Sequence, residues 1–151
     1  SVSPELKDRY RKILVQDSNQ ETNDLTKAVN WCNAAGISEV AILGATGIRE
    51  DHTLGNISLL ADYSRRIDAV MLTDTGCFSV YDRSVTIASC PGQQVSLFSI
   101  DPKLSVTSSG LKYPLSNLTL NSWWRGTLNE AVGDRFTLNF NAGQVIVFLQ
   151  F

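Results

Sequence analysis

Apolar residues in the first half of the chain recur in two alternating patterns. Over residues 24–36 and 51–66 they have the three- and four-residue spacing of an amphipathic helix. Each of these stretches is followed by a short apolar run, at residues 38–43 and 68–73, that is typical of a buried strand. A capping serine, a first-turn proline and a glutamate open residues 3–13, and they predict one further helix there.

This alternation predicts an α/β unit over residues 1–74, in which helices cover both faces of a parallel sheet. Residues 75–151 have a different character, because apolar and polar positions alternate in short runs separated by turn signals. The runs lie at residues 78–81, 84–88, 94–99, 104–107, 136–140 and 145–151. They predict an antiparallel β-sandwich or barrel that is interrupted at residues 123–130. The predicted fold class is therefore α/β: a parallel-sheet α/β/α domain followed by an antiparallel β-sandwich domain.

Composition excludes several kinds of partner. The 151 residues carry a net charge of −2, with 13 Lys and Arg against 15 Asp and Glu, and no basic cluster is long enough to follow a nucleic-acid backbone. No run of about 20 apolar residues is present, so no membrane-spanning helix is predicted. The three cysteines are far apart and lack zinc-site spacing, which favours buried, reduced thiols in a cytoplasmic protein.

The stretch GATGIREDHTLGN, residues 44–56, places a glycine-rich turn between a predicted strand and a predicted helix. Glycines let backbone N–H groups approach a phosphate, and the start of a helix adds positive potential. Arg49 can clamp a phosphate, Asp51 can bind Mg²⁺, and His52 can act as a base or donate to phosphate. The structural alternative is a tight turn in which Asp51 caps the helix and His52 packs in its first turn.

A second acidic candidate, Asp24, stands where the helix of residues 24–36 begins. Asp24 and Asp51 come from different loops and can meet at one metal, an arrangement that suits phosphoryl-type transfer. Helix capping is the alternative role for Asp24. Trp123 and Trp124 would face opposite sides of a strand, which leaves one of them for an interface or a flat ligand.

Four segments, taken together, resemble the thiamine pyrophosphokinase family. GATGIREDHTLGN is similar to the family signature GATGGRxDHxxxN, and NDLTKAV to its TD-x-x-K-A segment. GLKYPLSN resembles the family's GxKYPL segment, and RGTLNEAVGD its terminal G-x-SNE stretch. The four segments occur in the family's order and span nearly the whole chain.

The resemblance implies a fold and a reaction. The fold is an α/β catalytic domain, here residues 1–74, followed by a β-sandwich, here residues 75–151, that binds thiamine. The reaction transfers pyrophosphate from ATP to thiamine in the presence of Mg²⁺, in a homodimer whose active site lies between the two domains of different subunits. The family also has an upstream acidic segment, GDxDS, and Ser1 resembles its closing serine. The first strands and two acidic metal ligands are therefore expected to be missing here.

Site residues follow from the resemblance position by position. Catalytic roles fall to Asp24, Asp51 and Arg49, and the metal ligands are Asp24 and Asp51. ATP is expected to contact Gly44, Thr46, Gly47, Arg49 and His52. Thiamine is expected to contact Gln20, Asp24, Thr127, Asn129 and Glu130.

Three positions depart from the family pattern. Ile48 replaces the second glycine of the signature, Asn23 stands where many members have threonine, and Leu128 occupies the usual serine of the SNE stretch. Leucine cannot hydrogen-bond to thiamine. One alternative is therefore a non-catalytic nucleotide or thiamine sensor on the same scaffold, and another is an enzyme of this fold that uses a different alcohol.

Overall fold

The computed structural model describes residues 3–151, in which three α-helices and ten strands are found. The helices are α1 (Pro4–Arg9), α2 (Asp24–Ala34) and α3 (Glu50–Tyr63), and a 3₁₀ turn spans Trp123–Arg125. The strands are β1 (Glu39–Ile42), β2 (Asp68–Leu72), β3 (Gly76–Tyr81), β4 (Val85–Ala88), β5 (Gln94–Phe98), β6 (Ser105–Ser109), β7 (Leu118–Thr119), β8 (Gly126–Glu130), β9 (Arg135–Asn139) and β10 (Val145–Gln150). The expected match of Ser1 to an acidic segment falls outside the described residues.

The helices begin where the sequence predicts them. Ser3 caps α1, and Asn23 caps α2 by accepting from the Thr26 N–H at 2.8 Å. Helix α1 is shorter than predicted and ends at Arg9, because none of its residues is buried and a short helix without packing is marginal. Helices α2 and α3 confirm the amphipathic patterns, and both pack on one side of a sheet.

The larger sheet has six strands in the order β1-β2-β3-β10-β5-β8. Only β1 and β2 are parallel, and every other neighbouring pair is antiparallel, so the sheet is mixed. The prediction of a parallel sheet therefore holds for one strand pair. A tight turn over residues 73–75, in which the Thr73 hydroxyl accepts from the Gly76 N–H at 3.1 Å, returns the chain beside β2. The larger sheet thus continues across the boundary predicted at residue 74, and the division into two domains remains a prediction.

The smaller sheet is antiparallel, in the order β4-β9-β6-β7. It packs against the larger sheet as a sandwich, as predicted, with a core that includes Leu97, Phe136, Leu138 and Val147. Strand β10 serves two cores, because side chains alternate across a strand. Val147 points into the sandwich, whereas Ile146 joins the core beneath the helices.

The helical layer covers one face of the larger sheet. Leu60 of α3 and Val29 of α2 pack with Met71 and Ile146 in a single buried cluster. The opposite face of β1, β2 and β3 is an open groove of about 490 Å³, and its lining includes Glu39. The second helical layer of the predicted α/β/α arrangement is therefore not found in residues 3–151, and β1 is less buried than its apolar sequence predicts.

Two further predictions are wrong. Residues 123–130 do not simply interrupt the β pattern: Gly126–Glu130 forms β8, whereas the tryptophans lie in the 3₁₀ turn, where Trp123 packs on Phe98 with ring centroids 5.8 Å apart. The cysteines are all free, but Cys90 is exposed rather than buried. Within the described residues, no helix is both long and apolar enough to cross a membrane.

Candidate functional site

The glycine-rich turn joins the end of β1 to the start of α3. Gly44 and Gly47 have φ of +67° and +100°, in the left-handed region that favours glycine. An added Cβ at either position would meet nothing within 4 Å, so the backbone of the turn is open to a ligand. Ile48 is 94% exposed and does not have a positive φ. The turn therefore accommodates a side chain at the position where the family signature has glycine.

Arg49 and Asp51 form a two-bond ion pair. Arg49 Nε donates to Asp51 Oδ1 at 3.1 Å, and Nη2 donates to Oδ2 at 2.5 Å. The Arg49 hydrogen bond is the main reason why the pKa of the Asp51 carboxyl is lowered, and the backbone N–H of His52 adds a further bond at 2.9 Å. Some of the donors of Arg49 and the carboxylate oxygens of Asp51 that a phosphate or a metal would use are thus engaged with each other, although both side chains are 63% exposed.

Two side chains of α3 attach the turn to the helix. Asn56 Nδ2 donates to the Ala45 carbonyl at 2.8 Å. Thr53 Oγ1 accepts from the Gly47 N–H at 3.3 Å and donates to the Arg49 carbonyl at 2.9 Å. His52 itself is exposed rather than packed. Thr53 lies within the GATGIREDHTLGN segment, but the sequence pattern predicts no role for it.

Asp24 opens α2 without capping it. Because Asn23 supplies the cap, the carboxylate of Asp24 is fully exposed, with Lys27 Nζ 3.7 Å away. The Lys27 side chain is only 16% exposed and also donates to the Asp17 carbonyl at 3.3 Å. Gln20 lies in the same loop and is exposed. Lys27, the lysine of the TD-x-x-K-A segment, is therefore a cation beside the Asp24 carboxylate.

The described residues do not contain a complete metal site. No group of three or more His, Cys, Asp or Glu side chains that could hold one ion is found in residues 3–151. Asp24 and Asp51 offer carboxylate oxygens, the ligand type that suits Mg²⁺. Their meeting at one metal stays a prediction.

On the sandwich side, two of the quoted segments come together. Asn129 is buried in β8, and its Nδ2 donates to the Tyr113 carbonyl at 2.7 Å. Its Oδ1 accepts from the backbone N–H groups of Tyr113 at 3.1 Å and Glu130 at 2.9 Å. Glu130 Oε2 accepts from Lys112 Nζ at 3.2 Å, which raises the pKa of the lysine. The predicted thiamine-side residues thus hold the GLKYP segment, whose Lys112 and Tyr113 had been assigned no role.

Leu128 occupies a bulge in β8. Thr127 and Leu128 together face Ser96 of β5, since the pairing register shifts between Val95 and Leu97. Leu128 has φ +59° and is 80% exposed, and the Thr127 hydroxyl donates to the Trp124 carbonyl at 2.8 Å. Leu128 is therefore a strained, exposed apolar residue next to the buried Asn129.

Relieving this strain is expected to stabilise the fold. Asparagine tolerates the left-handed region better than leucine, so Leu128→Asn should raise the free energy of unfolding by about 1 kcal/mol. Urea unfolding measures the change. Val132→Asn is the matched control, because Val132 is also exposed but has no positive φ, and its change should stay within about 0.5 kcal/mol. An equal gain in both variants would show that the strain at Leu128 is not the cause.

Comparisons with known proteins agree with this arrangement. A family model described as "Thiamin pyrophosphokinase, catalytic domain" matches residues 1–72, and one described as "Thiamin pyrophosphokinase, substrate-binding domain" matches residues 76–148. The chain is 29% identical over 136 residues to "Thiamine pyrophosphokinase 1" of Oryza sativa subsp. japonica, which covers 80% of this chain and 52% of that protein. The chain therefore spans about half the length of the rice protein.

Solved structures show the same fold. The thiamine pyrophosphokinase of Bacillus subtilis superposes with a TM-score of 0.81 at 25% identity, covering 99% of this chain and 74% of that one. The thiamin pyrophosphokinase of Candida albicans gives a TM-score of 0.84 at 17% identity, covering 100% of this chain and 70% of that one. Both family models belong to one family, and they leave out only residues 73–75 and 149–151. The chain belongs to the thiamine pyrophosphokinase family.

Proposed function

We propose that the protein transfers pyrophosphate from ATP to thiamine, giving thiamine diphosphate and AMP. The observation that carries this proposal is the order of the two family matches, catalytic domain first and substrate-binding domain second, along nearly the whole chain. The four sequence segments support it, because they lie on elements with suitable chemistry: an open glycine turn, an exposed carboxylate, and hydrogen bonds from β8 to the loop that carries Lys112 and Tyr113.

The nucleotide phosphates would bind at the glycine-rich turn. The backbone N–H groups of Thr46 and Ile48 make no hydrogen bond within residues 3–151, and a Cβ added at Gly44 or Gly47 would meet nothing within 4 Å. The start of α3 adds the positive end of a 14-residue helix. Arg49 would exchange Asp51 for a phosphate, since guanidinium binds both groups in the same two-bond geometry. Gly44, Gly47 and His52 complete the proposed set.

Asp24 and Asp51 would hold Mg²⁺. Their donor chemistry fits, because Mg²⁺ is commonly bound by one or two carboxylates together with substrate phosphates. Bound Mg²⁺ would offset the negative charge of the phosphates during transfer. When Arg49 binds the phosphate and releases Asp51, the Asp51 carboxylate would become free to bind Mg²⁺.

Asp24 would act as the base for thiamine. The hydroxyl oxygen of thiamine attacks the β-phosphorus of ATP, and the bond from that phosphorus to the oxygen bridging the α-phosphate breaks, so AMP leaves with the electron pair. The hydroxyl proton passes to Asp24. The structure supports this role in one respect: the carboxylate is exposed and is not used as a helix cap.

The thiamine side would be formed by Gln20, Thr127, Asn129 and Glu130 together with Asp24. The proposal includes a cytoplasmic homodimer in which the α/β part of one subunit faces the sandwich of its partner. Trp124, in the 3₁₀ turn before β8, and Leu128, in β8, are both exposed, which supports an apolar contact at that surface.

The test is AMP formation from ATP and Mg²⁺ by the full-length gene product, with and without thiamine. Thiamine-dependent AMP is the expected result, and sedimentation velocity of the same sample should show a dimer. A folded protein that binds thiamine or ATP but releases no AMP would contradict the proposal and favour a sensor. AMP formation with another alcohol in place of thiamine would retain the reaction but change its acceptor.

A further inference from the structure

We propose that Asn56 is a positioning residue for the phosphate site, because it sets the direction of the Thr46 N–H group; the inference rests on the proposed function. The Asn56 side chain donates to the Ala45 carbonyl at 2.8 Å. The peptide group between Ala45 and Thr46 is planar and trans, so its C=O and N–H point in opposite directions. Because the carbonyl is held against α3, the Thr46 N–H points away from the Asn56 side chain, and it has no hydrogen-bond partner within residues 3–151.

This orientation decides whether the turn attracts or repels an anion. With the Ala45 carbonyl bound to Asn56, the turn presents the Thr46 N–H as a hydrogen-bond donor to a phosphate oxygen. Without Asn56, the peptide group can rotate and present the carbonyl oxygen instead, which repels a phosphate. A single hydrogen bond to a charged group is worth on the order of 10–100-fold in affinity.

Thr53 offers a matched comparison on the same face of α3. Its hydroxyl makes two hydrogen bonds to the turn, to Gly47 and Arg49, whereas Asn56 makes one. Neither bond of Thr53 involves the peptide group between Ala45 and Thr46. Loss of the Thr53 hydroxyl therefore loosens the turn without freeing the Ala45 carbonyl. If general loosening were what mattered, the Thr53 variant would be the more damaged of the two.

The experiment compares two neutral, near-isosteric variants of the full-length gene product, Asn56→Leu and Thr53→Val, with Asn56→Gln as a variant that keeps the donor. Calorimetry gives the Kd for Mg·ATP, the AMP assay separates KM for ATP from kcat, and thermal unfolding checks the fold. In a ¹⁵N-labelled sample, added inorganic pyrophosphate should shift the Thr46 amide signal.

We expect Asn56→Leu to raise the Kd and KM for the nucleotide about tenfold or more. Thr53→Val should raise both by less than about threefold, and the values for Asn56→Gln should lie between those of the wild type and Asn56→Leu. The Thr46 amide should shift in the wild type and in Thr53→Val but not in Asn56→Leu. Equal losses in Asn56→Leu and Thr53→Val, or a wild-type-sized shift in Asn56→Leu, would overturn the inference. If Asn56→Leu fails to fold, the wild type alone decides: a Thr46 amide signal that does not shift when pyrophosphate is added would overturn the inference. A wild-type protein that binds neither Mg·ATP nor pyrophosphate would instead overturn the proposed function, and the inference with it.

Discussion

Replacing Asp24 by asparagine is expected to lower thiamine-dependent AMP formation by about 10²–10⁴-fold, the usual contribution of a general base. Asparagine keeps the size of the side chain but cannot accept the hydroxyl proton. The fold should be nearly unaffected, because Asn23 provides the cap of α2 and solvent screens the fully exposed carboxylate of Asp24. Steady-state kinetics of the full-length gene product measures the loss, and it should appear mainly in kcat.

The control for this variant is Asp62→Asn. Asp62 is an exposed carboxylate on α3, so the same charge is removed without touching the proposed site. Its turnover should stay within about twofold of the wild type. Near-normal turnover of Asp24→Asn would remove Asp24 from the role of base, and equal losses in both variants would assign the effect to overall charge. Asp24 also forms an ion pair with Lys27. If its role were only structural, Asp24→Asn would lose stability but not turnover.

Replacing Asn129 by alanine is expected to lower the free energy of unfolding by about 2–4 kcal/mol. The buried amide satisfies the N–H and the C=O of Tyr113 and the N–H of Glu130, and alanine leaves these groups without a partner. The loop that carries Tyr113 should then lose its fixed position against β8. Urea unfolding, with the slope checked for a constant value, measures the loss.

Two comparisons show whether the amide pairing is responsible. Asn121→Ala removes an exposed amide that accepts from Arg125 at 3.2 Å, and its cost should stay within about 0.5 kcal/mol. Asn129→Asp keeps the shape, but its carboxylate cannot donate to the Tyr113 carbonyl, whereas the protonated acid can. Burial raises the pKa of this carboxyl in the folded state, so the folded state binds the proton more tightly. The variant should therefore regain stability as the pH falls toward about 4, and a pH-independent loss would contradict the pairing.

Much of the fold was predictable because it depends on local patterns. Helices α2 and α3 follow from the spacing of their apolar residues, and β2, β5, β9 and β10 from short alternations bounded by turns. The turn at Gly44 and Gly47 was predictable, because few residues other than glycine adopt the left-handed backbone conformation found there. These features are encoded within a window of a few residues, where side-chain periodicity and backbone sterics act.

Other features depend on residues that are distant in sequence. The hydrogen bond from Asn129 to the Tyr113 carbonyl joins residues 16 positions apart in the sequence. Val147 of β10 pairs with Ser79 of β3, which lies 68 positions earlier. Periodicity tells which side of a strand is buried but not which strand lies beside it. For that reason the pattern predicted a boundary at residue 74 but not that one sheet continues across it. The bulge at Leu128 was hidden for the same reason, because it exists only in the register between β8 and β5.

The candidate site divides in the same way. The sequence by itself determined the residue types of the site and their order: a glycine turn with Arg49 and Asp51, an acidic helix start at Asp24, and the two segments of the sandwich. Only the tertiary structure decided how those groups are engaged: Arg49 with Asp51, Asn56 with the Ala45 carbonyl, and Asn129 with the backbone of Tyr113. Side-chain chemistry is a property of each residue, whereas a hydrogen-bond partner is chosen by distance and direction, which exist only after the chain has folded.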